Sequence, residues 1–252
     1  MKLWRDFLEV LKKADGERGY ACDACKAELF DYPKHRLCPC CEESLLKSGE
    51  CVCGKCGRKT RAAGVCLTCK SHLPKYTQAF SPFVYDGTVA KLVNRIKNGE
   101  PRLALYFGEK MAEYFLSKTS GKEFWQQDVF ILPVPTTEKR LKTRGYNQAQ
   151  ELAKSVAAAL EKVKISVTLD GDVLQRTKDD FAQKKLGFAE RAKNIIGAFH
   201  VHKRKVIQGK TLLLIDDIMT TGATGSACAE RLLGAGAKAV YFLTASATSE
   251  LT

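Results

Sequence analysis

At 252 residues, 45% of them hydrophobic, the chain has room for one large or two modest domains with a real core. No apolar run approaches the roughly 20 residues of a membrane-spanning helix. The amphipathic, acid-containing N-terminus is unlike a signal peptide. A cytoplasmic protein without membrane insertion is therefore expected. The formal net charge is +13, and residues 136–210 hold 17 Lys and Arg against 8 Asp and Glu. That balance suits a polyphosphate or nucleic acid, or simply a solvated basic surface.

Residues 1–19 form the first segment. Within it, Leu3, Phe7 and Leu11 share one face of a short amphipathic helix, with Trp4 and Leu8 beside them. Such a helix packs on its own protein or docks a partner.

Residues 20–74 form a cysteine-rich domain, ending at Pro74. Ten of the eleven cysteines lie in 22–69, and eight of them make four C-x-x-C pairs: Cys22/Cys25, Cys38/Cys41, Cys53/Cys56 and Cys66/Cys69. A C-x-x-C turn aims two sulfurs at one point, and two such turns complete a tetrahedral S₄ site. One or two structural Zn²⁺ ions are expected. The pairs combine either in chain order or interleaved. Cys40 and Cys51 are left over. Disulfides do not suit a reducing compartment.

Residues 75–252 form the remaining domain and read as an α/β fold. Ala79 to Tyr85 is strand-like, and Asp86 and Gly87 turn into a helical pattern over Thr88 to Lys97. Arg102 to Lys118 is a second amphipathic helix. Val129 to Val134 is a buried strand, followed by a loop in which four of the six residues from Lys139 to Arg144 are basic. A helix is expected over Asn147 to Leu160. Strand, basic loop and helix make an anion-binding corner. Arg176 closes a short strand. It is followed by a long charged segment containing Gln183, Lys184, Lys185 and Arg191, of the kind that often serves as a lid. Ala198 to Val201 reads as an edge strand.

The most informative stretch is Leu212 to Gly225. Leu212 to Ile215 reads as a fully buried parallel strand, with Asp216 and Asp217 at its end. A turn of Thr220, Thr221, Gly222, Ala223 and Thr224 leads into a helix from Gly225 to Leu233, and a last strand covers Ala239 to Leu243. Two adjacent acids ending a buried strand are costly without a partner. A helix N-terminus with a glycine and hydroxyls suits a phosphate. Carboxylates one step earlier accept hydrogen bonds from sugar hydroxyls. A sugar phosphate therefore fits, phosphate in the turn and hydroxyls on the acids.

This stretch resembles the phosphoribosyl-pyrophosphate (PRPP) motif of type I phosphoribosyltransferases. The wider order resembles the ComF family of competence-associated proteins. Its elements are the cysteine-rich ribbon, Tyr85-Asp86-Gly87 with Arg95-Ile96-Lys97, Pro133 to Pro135 followed by Arg140 and the run Arg144 to Gln148, and Arg191 and Asn194 before Ala198 and Phe199. Asp180 and Ala182 depart from the family pattern before Gln183. The resemblance implies a type I phosphoribosyltransferase-like parallel sheet flanked by helices. It implies that Asp216 and Asp217 hold the ribose hydroxyls and that residues 220–224 hold the 5′-phosphate. Thr136, Arg140 and Arg144 would meet the pyrophosphate, with Arg176, Gln183 and Arg191 as its lid and Mg²⁺ accompanying PRPP. The activity implied is phosphoribosyl transfer with release of pyrophosphate. A role on incoming single-stranded DNA in natural transformation is also implied, beside other DNA-processing proteins. A non-catalytic scaffold or PRPP sensor that binds a competence helicase is the alternative.

Overall fold

The computed structural model describes residues 20–29, 35–120, 125, 128–177 and 197–249. The chain divides into two compact units, residues 1–45 and 46–252.

In the first unit, β1 (Tyr20–Ala21) and β2 (Glu28–Leu29) pair antiparallel around a knuckle, and a short helix α1 (Pro39–Glu43) follows. Proline at the helix start is pre-set for it and gives up an N–H with no intrahelical partner.

The second unit opens with another cysteine knuckle and α2 (Leu67–Ser71). Then come β3 (Gln78–Phe80), β4 (Phe83–Val84), α3 (Gly87–Lys97) and α4 (Leu103–Thr119). The chain continues through β5 (Val129–Pro133), α5 (Glu138–Arg144), α6 (Gln148–Lys162), β6 (Val167–Leu169) and β7 (Leu174–Arg176). It ends with β8 (Phe199–Val201), α7 (Arg204–Ile207), β9 (Thr211–Met219), α8 (Ala223–Gly234) and β10 (Ala239–Ala247).

The central sheet runs β3-β10-β9-β5-β6, with β4 continuing along β10, and every pairing in it is parallel. Leu212 to Ile215 and Val129 to Leu132 are buried on both sides, as interior parallel strands require. Consecutive strand residues face opposite sides. Tyr241 meets Phe115 of α4, with ring centroids 6.3 Å apart, while Phe242 lies against Gly225 of α8. Helices therefore cover both faces, the expected α/β layering. A Cβ on Gly108 of α4 would stand 2.3 Å from the Ser155 side chain of α6, so those helices pack at a distance only glycine permits. β7 and β8 form a separate antiparallel pair.

Several local readings change, among them the last strand, expected to end at Leu243, which runs on to Ala247. The strand expected to end at Ile215 runs on to Met219, because β10 extends its parallel pairing to Ile218 and Met219. Asp216 and Asp217 therefore lie inside β9. The basic loop of 139–144 is helix α5. Thr137 caps it by accepting from the Arg140 N–H at 3.3 Å, and Gly145 ends it at φ 79°. β6, in a stretch without a strand pattern in the sequence reading, is an edge strand. The first segment's helix and the lid residues Gln183, Lys184, Lys185 and Arg191 lie outside the described residues. Among the described residues, no helix is long and apolar enough to cross a membrane.

Candidate functional site

Pairing of β5 with β9 sets Pro133 opposite Ile215, and the Val134 N–H donates to the Ile215 carbonyl at 2.8 Å. The segment after β5 is thereby fixed beside the acidic pair of β9. Between them opens a cleft of about 380 Å³ at the carboxyl edge of the sheet, where ligands of open α/β folds bind. Its lining includes Thr136, Arg140, Arg144, Arg176, Asp216, Asp217, Thr220 and Thr224. Residues separated by up to 139 positions, Tyr85 to Thr224, are thus brought to one cavity.

The two carboxylates are adjacent in sequence and fall on opposite sides of β9. Asp217 reaches Lys97 at the end of α3, Oδ2 to Nζ 3.4 Å. The same buried oxygen receives no aligned hydrogen bond, so the pair is electrostatic contact only, in a residue that lines the cleft. Asp216 Oδ1 accepts the Asp217 N–H at 2.9 Å. Burial pushes the Asp216 carboxyl up to about 8, and the neighbouring Asp217 charge adds to the rise. The Asp217 N–H, Lys97 and Arg176 oppose it.

That shift has a consequence for stability. Unfolded, the Asp216 carboxyl titrates near 3.8. Between about pH 4 and pH 8 the folded state therefore holds the proton that the unfolded state has released, and stability falls as pH rises. D216N removes the effect. Its stability margin over wild type in urea unfolding is expected to be near zero at pH 4 and to grow steadily up to about pH 8. A margin that stays flat with pH would contradict the assignment.

The turn after β9 is built for a close approach. Gly222 stands at φ 76° at the N-cap of α8 and brings no capping side chain. Thr221 Oγ1 accepts the Ala223 N–H at 3.3 Å. Thr220 and Thr224 line the cleft, and Thr221, Gly222 and Ala223 complete the turn between them. The start of a twelve-residue helix thus points its dipole at the cavity.

Opposite stands α5. Arg140 and Arg144 are four residues apart, on one face of a helix, and both line the cleft. Arg144 Nη1 donates to Gln148 Oε1 at 2.9 Å. Gly145 ends α5. The Tyr146 hydroxyl donates to the Ile96 carbonyl and accepts the Gly99 N–H at 3.0 Å. Asn147 Nδ2 donates to the Val134 carbonyl at 3.0 Å, while its Oδ1 caps α6. The run Arg144 to Gln148 therefore does two jobs. It braces the corner, and through Tyr146 it fixes the end of α3 that carries Lys97. Thr136 Oγ1 is buried without a hydrogen-bond partner at the rim of this corner.

Lys97, Tyr85 and Gln148 also line the cleft but were not among the expected site residues. Lys97 and Tyr85 belong to the Tyr85–Lys97 element that the sequence singles out without giving it a role. Asn94 Nδ2 donates to the Tyr85 hydroxyl at 2.9 Å and sets the ring at the cleft wall.

The cysteines resolve into two Cys₄ clusters in chain order: Cys22, Cys25, Cys38 and Cys41 in the first unit, and Cys53, Cys56, Cys66 and Cys69 in the second. Within each, the sulfurs lie within 4.8 Å of one another. Cys25 and Cys38 are 3.8 Å apart, as are Cys56 and Cys66. That is far beyond a disulfide bond. It matches the edge of a tetrahedron with metal–sulfur bonds of about 2.3 Å. Cys40 and Cys51 stay outside. Burial pushes the thiols up, but backbone N–H groups outweigh it at Cys22 and Cys53, which are lowered to about 6 and about 7. Cys53 Sγ faces the N–H groups of Lys55, Cys56 and Cys66 at 3.4, 3.5 and 3.3 Å. Both clusters could hold a metal ion, and the donor set fits zinc.

The family model described as PRTase ComF-like matches residues 87–248. The chain belongs to this family. Among similar proteins, DNA utilization protein YhgH of Escherichia coli K12 is 24% identical over 208 residues, covering 81% of this chain and 87% of that protein. Competence protein ComFC of Bacillus subtilis 168 is 24% identical over 212 residues, covering 81% and 80%. Competence protein F of Haemophilus influenzae Rd is 25% identical over 210 residues, covering 81% and 87%. A solved structure similar to this ComF-like chain is a hypoxanthine-guanine phosphoribosyltransferase from Bacillus anthracis, at 15% identity and a TM-score of 0.32, covering 57% of this chain and 66% of that one.

Proposed function

We propose that the cleft binds PRPP together with Mg²⁺. The observation that carries this is the convergence in one cavity of an acidic pair, a hydroxyl-bearing turn at a helix N-terminus, and two arginines of α5. The three charge preferences suit ribose hydroxyls, a 5′-phosphate and a pyrophosphate in that order. Asp216 and Asp217 accept the hydroxyls. Residues 220–224 hold the 5′-phosphate. Thr136, Arg140 and Arg144 meet the pyrophosphate, and Arg176, at the end of β7, adds a further positive charge to the lining. Mg²⁺ would arrive on the pyrophosphate and neutralise the leaving charge.

If transfer follows, the bond from ribose C1 to the pyrophosphate oxygen breaks and pyrophosphate leaves with the electron pair. An acceptor lone pair closes on C1, and the acceptor gives up its proton. The positive arm around the pyrophosphate and the carboxylates near the ribose match the charges that develop. Calorimetric titration of the zinc-loaded chain with PRPP and Mg²⁺ tests the reading. Saturable binding is expected, and no heat with a folded protein would sink it.

The clusters complete the picture. We expect two zinc equivalents per chain by elemental analysis, falling to one in C25S and to one in C66S. A wild-type value below one would remove the metal assignment.

A second reading is favoured by the +13 charge and by the names of the relatives, which speak of competence and DNA utilization. On it, the chain binds single-stranded DNA during uptake. If about four phosphates are neutralised, affinity for a thymidine oligomer should fall roughly 50-fold between 50 and 200 mM salt. Absent or salt-independent binding would count against it, leaving a scaffold that senses PRPP and docks a helicase.

A further inference from the structure

The second Cys₄ cluster lies directly behind the phosphate turn. Cys53, Cys56 and Cys69 share one buried cluster with Tyr76, Met219 and Phe242, on the α8 side of the sheet. The knuckle is seated on β3. The Ala79 N–H donates to the Lys55 carbonyl at 2.9 Å, and a Cβ on Gly57 would stand 2.4 Å from the Ala79 carbonyl oxygen. Lys55 Nζ donates to the carbonyls of Tyr76 and, at 3.1 Å, of Thr77. The knuckle thus holds the backbone of Tyr76 from one side.

From the other side Tyr76 holds the turn. It is fully buried, and its ring lies 5.6 Å from that of Phe242. Its hydroxyl is 3.8 Å from Met219 Sδ, at the end of β9. A Cβ on Gly222 would stand 2.7 Å from the same hydroxyl, so the phenol fills the space under the turn that glycine leaves. One residue earlier, the Lys75 N–H donates to Ser226 Oγ at 3.0 Å, in the first turn of α8. A bound tetrahedral ion would hold the four sulfurs at fixed separation, and these contacts pass that rigidity on.

We infer that Tyr76 is a positioning residue through which the second Cys₄ cluster, when metal-loaded, holds the phosphate turn 220–224 in its binding shape. The inference rests on the PRPP reading for what the turn binds, but not for the coupling itself. The cluster is then more than a brace for its own knuckle. Losing metal there loosens the ligand site without dismantling the sheet.

Hydrogen–deuterium exchange on the full chain tests this. Peptides covering residues 219–226 report the turn, and those covering β10 serve as reference. In Y76L with wild-type zinc content, 219–226 is expected to exchange about tenfold faster with β10 unchanged. Y76F, which keeps the ring but loses the hydroxyl under Gly222, should show an increase smaller than that of Y76L. C66S, lacking one zinc, should show the same local increase, whereas C38S, in the other cluster, should not. Unchanged exchange at 219–226 in Y76L or C66S overturns the inference. So does an increase shared equally by β10, or a wild-type chain that holds no metal. Titration with PRPP and Mg²⁺ separates the two readings. Affinity about tenfold weaker in Y76L supports both. Wild type without affinity for PRPP sinks the ligand reading alone, and exchange still decides the coupling.

Discussion

Replacing both acids, D216N with D217N, is expected to weaken PRPP binding by at least about 100-fold. At about pH 8.5, above the range in which Asp216 holds its proton, each carboxylate would accept a hydroxyl hydrogen bond, and bonds to charged groups contribute about 1.5–3 kcal/mol apiece. Two of them amount to about 3–6 kcal/mol, and each 1.4 kcal/mol is a factor of ten. The amides of the double variant can still accept weakly, which sets the lower bound. The fold should survive, because Asp216 is held up by burial and by its neighbour's charge, so neutralising the pair removes a repulsion. Lys97 then loses its partner at 3.4 Å but keeps access to solvent. A folded double variant with wild-type affinity would show that the ribose hydroxyls lie elsewhere.

The sequence carries much of this site because its signals are local. The apolar run Leu212 to Ile215, the acids after it and the Thr-Gly turn are contiguous, so strand, charge and helix start can be read together. The same holds for the four C-x-x-C pairs. What stayed hidden depends on distant partners. Nothing near Asp217 in sequence indicates Lys97, which lies 120 positions away at the end of another helix. The prolongation of β9 through two carboxylates follows from pairing with β10, which overrides local propensity. Pairing of the C-x-x-C turns is a matter of chain path. Helix α5 is a different case. Its basic composition drew attention to anion binding, but Thr137 and Gly145 were already the start and stop signals of a two-turn helix. Those signals put Arg140 and Arg144 four residues apart on one face of the helix.

That shared face leads to the second large effect. R140A with R144A is expected to lower PRPP affinity by about 100-fold or more while leaving ribose 5-phosphate affinity within about twofold. Arginine pairs with phosphate oxygens through charge-assisted bonds, often two at once, and loss of each contributes about 1.5–3 kcal/mol. The two arginines come from α5, which follows β5, whereas the turn 220–224 follows β9, so different segments of the chain supply the two arms of the cleft. A ligand with only a 5′-phosphate uses the turn and the acids and has nothing to offer α5. Arg144 also donates to Gln148, so its removal leaves that side chain one bond short, but the corner keeps Asn147 on the Val134 carbonyl and Tyr146 on Ile96. Equal losses for both ligands would mean that α5 shapes the whole cleft rather than one arm of it. Equal affinities in variant and wild type would move the pyrophosphate out of this corner. The predicted split assigns α5 to the pyrophosphate and the β9 turn to the 5′-phosphate, with the ribose spanning Asp216 and Asp217 between them.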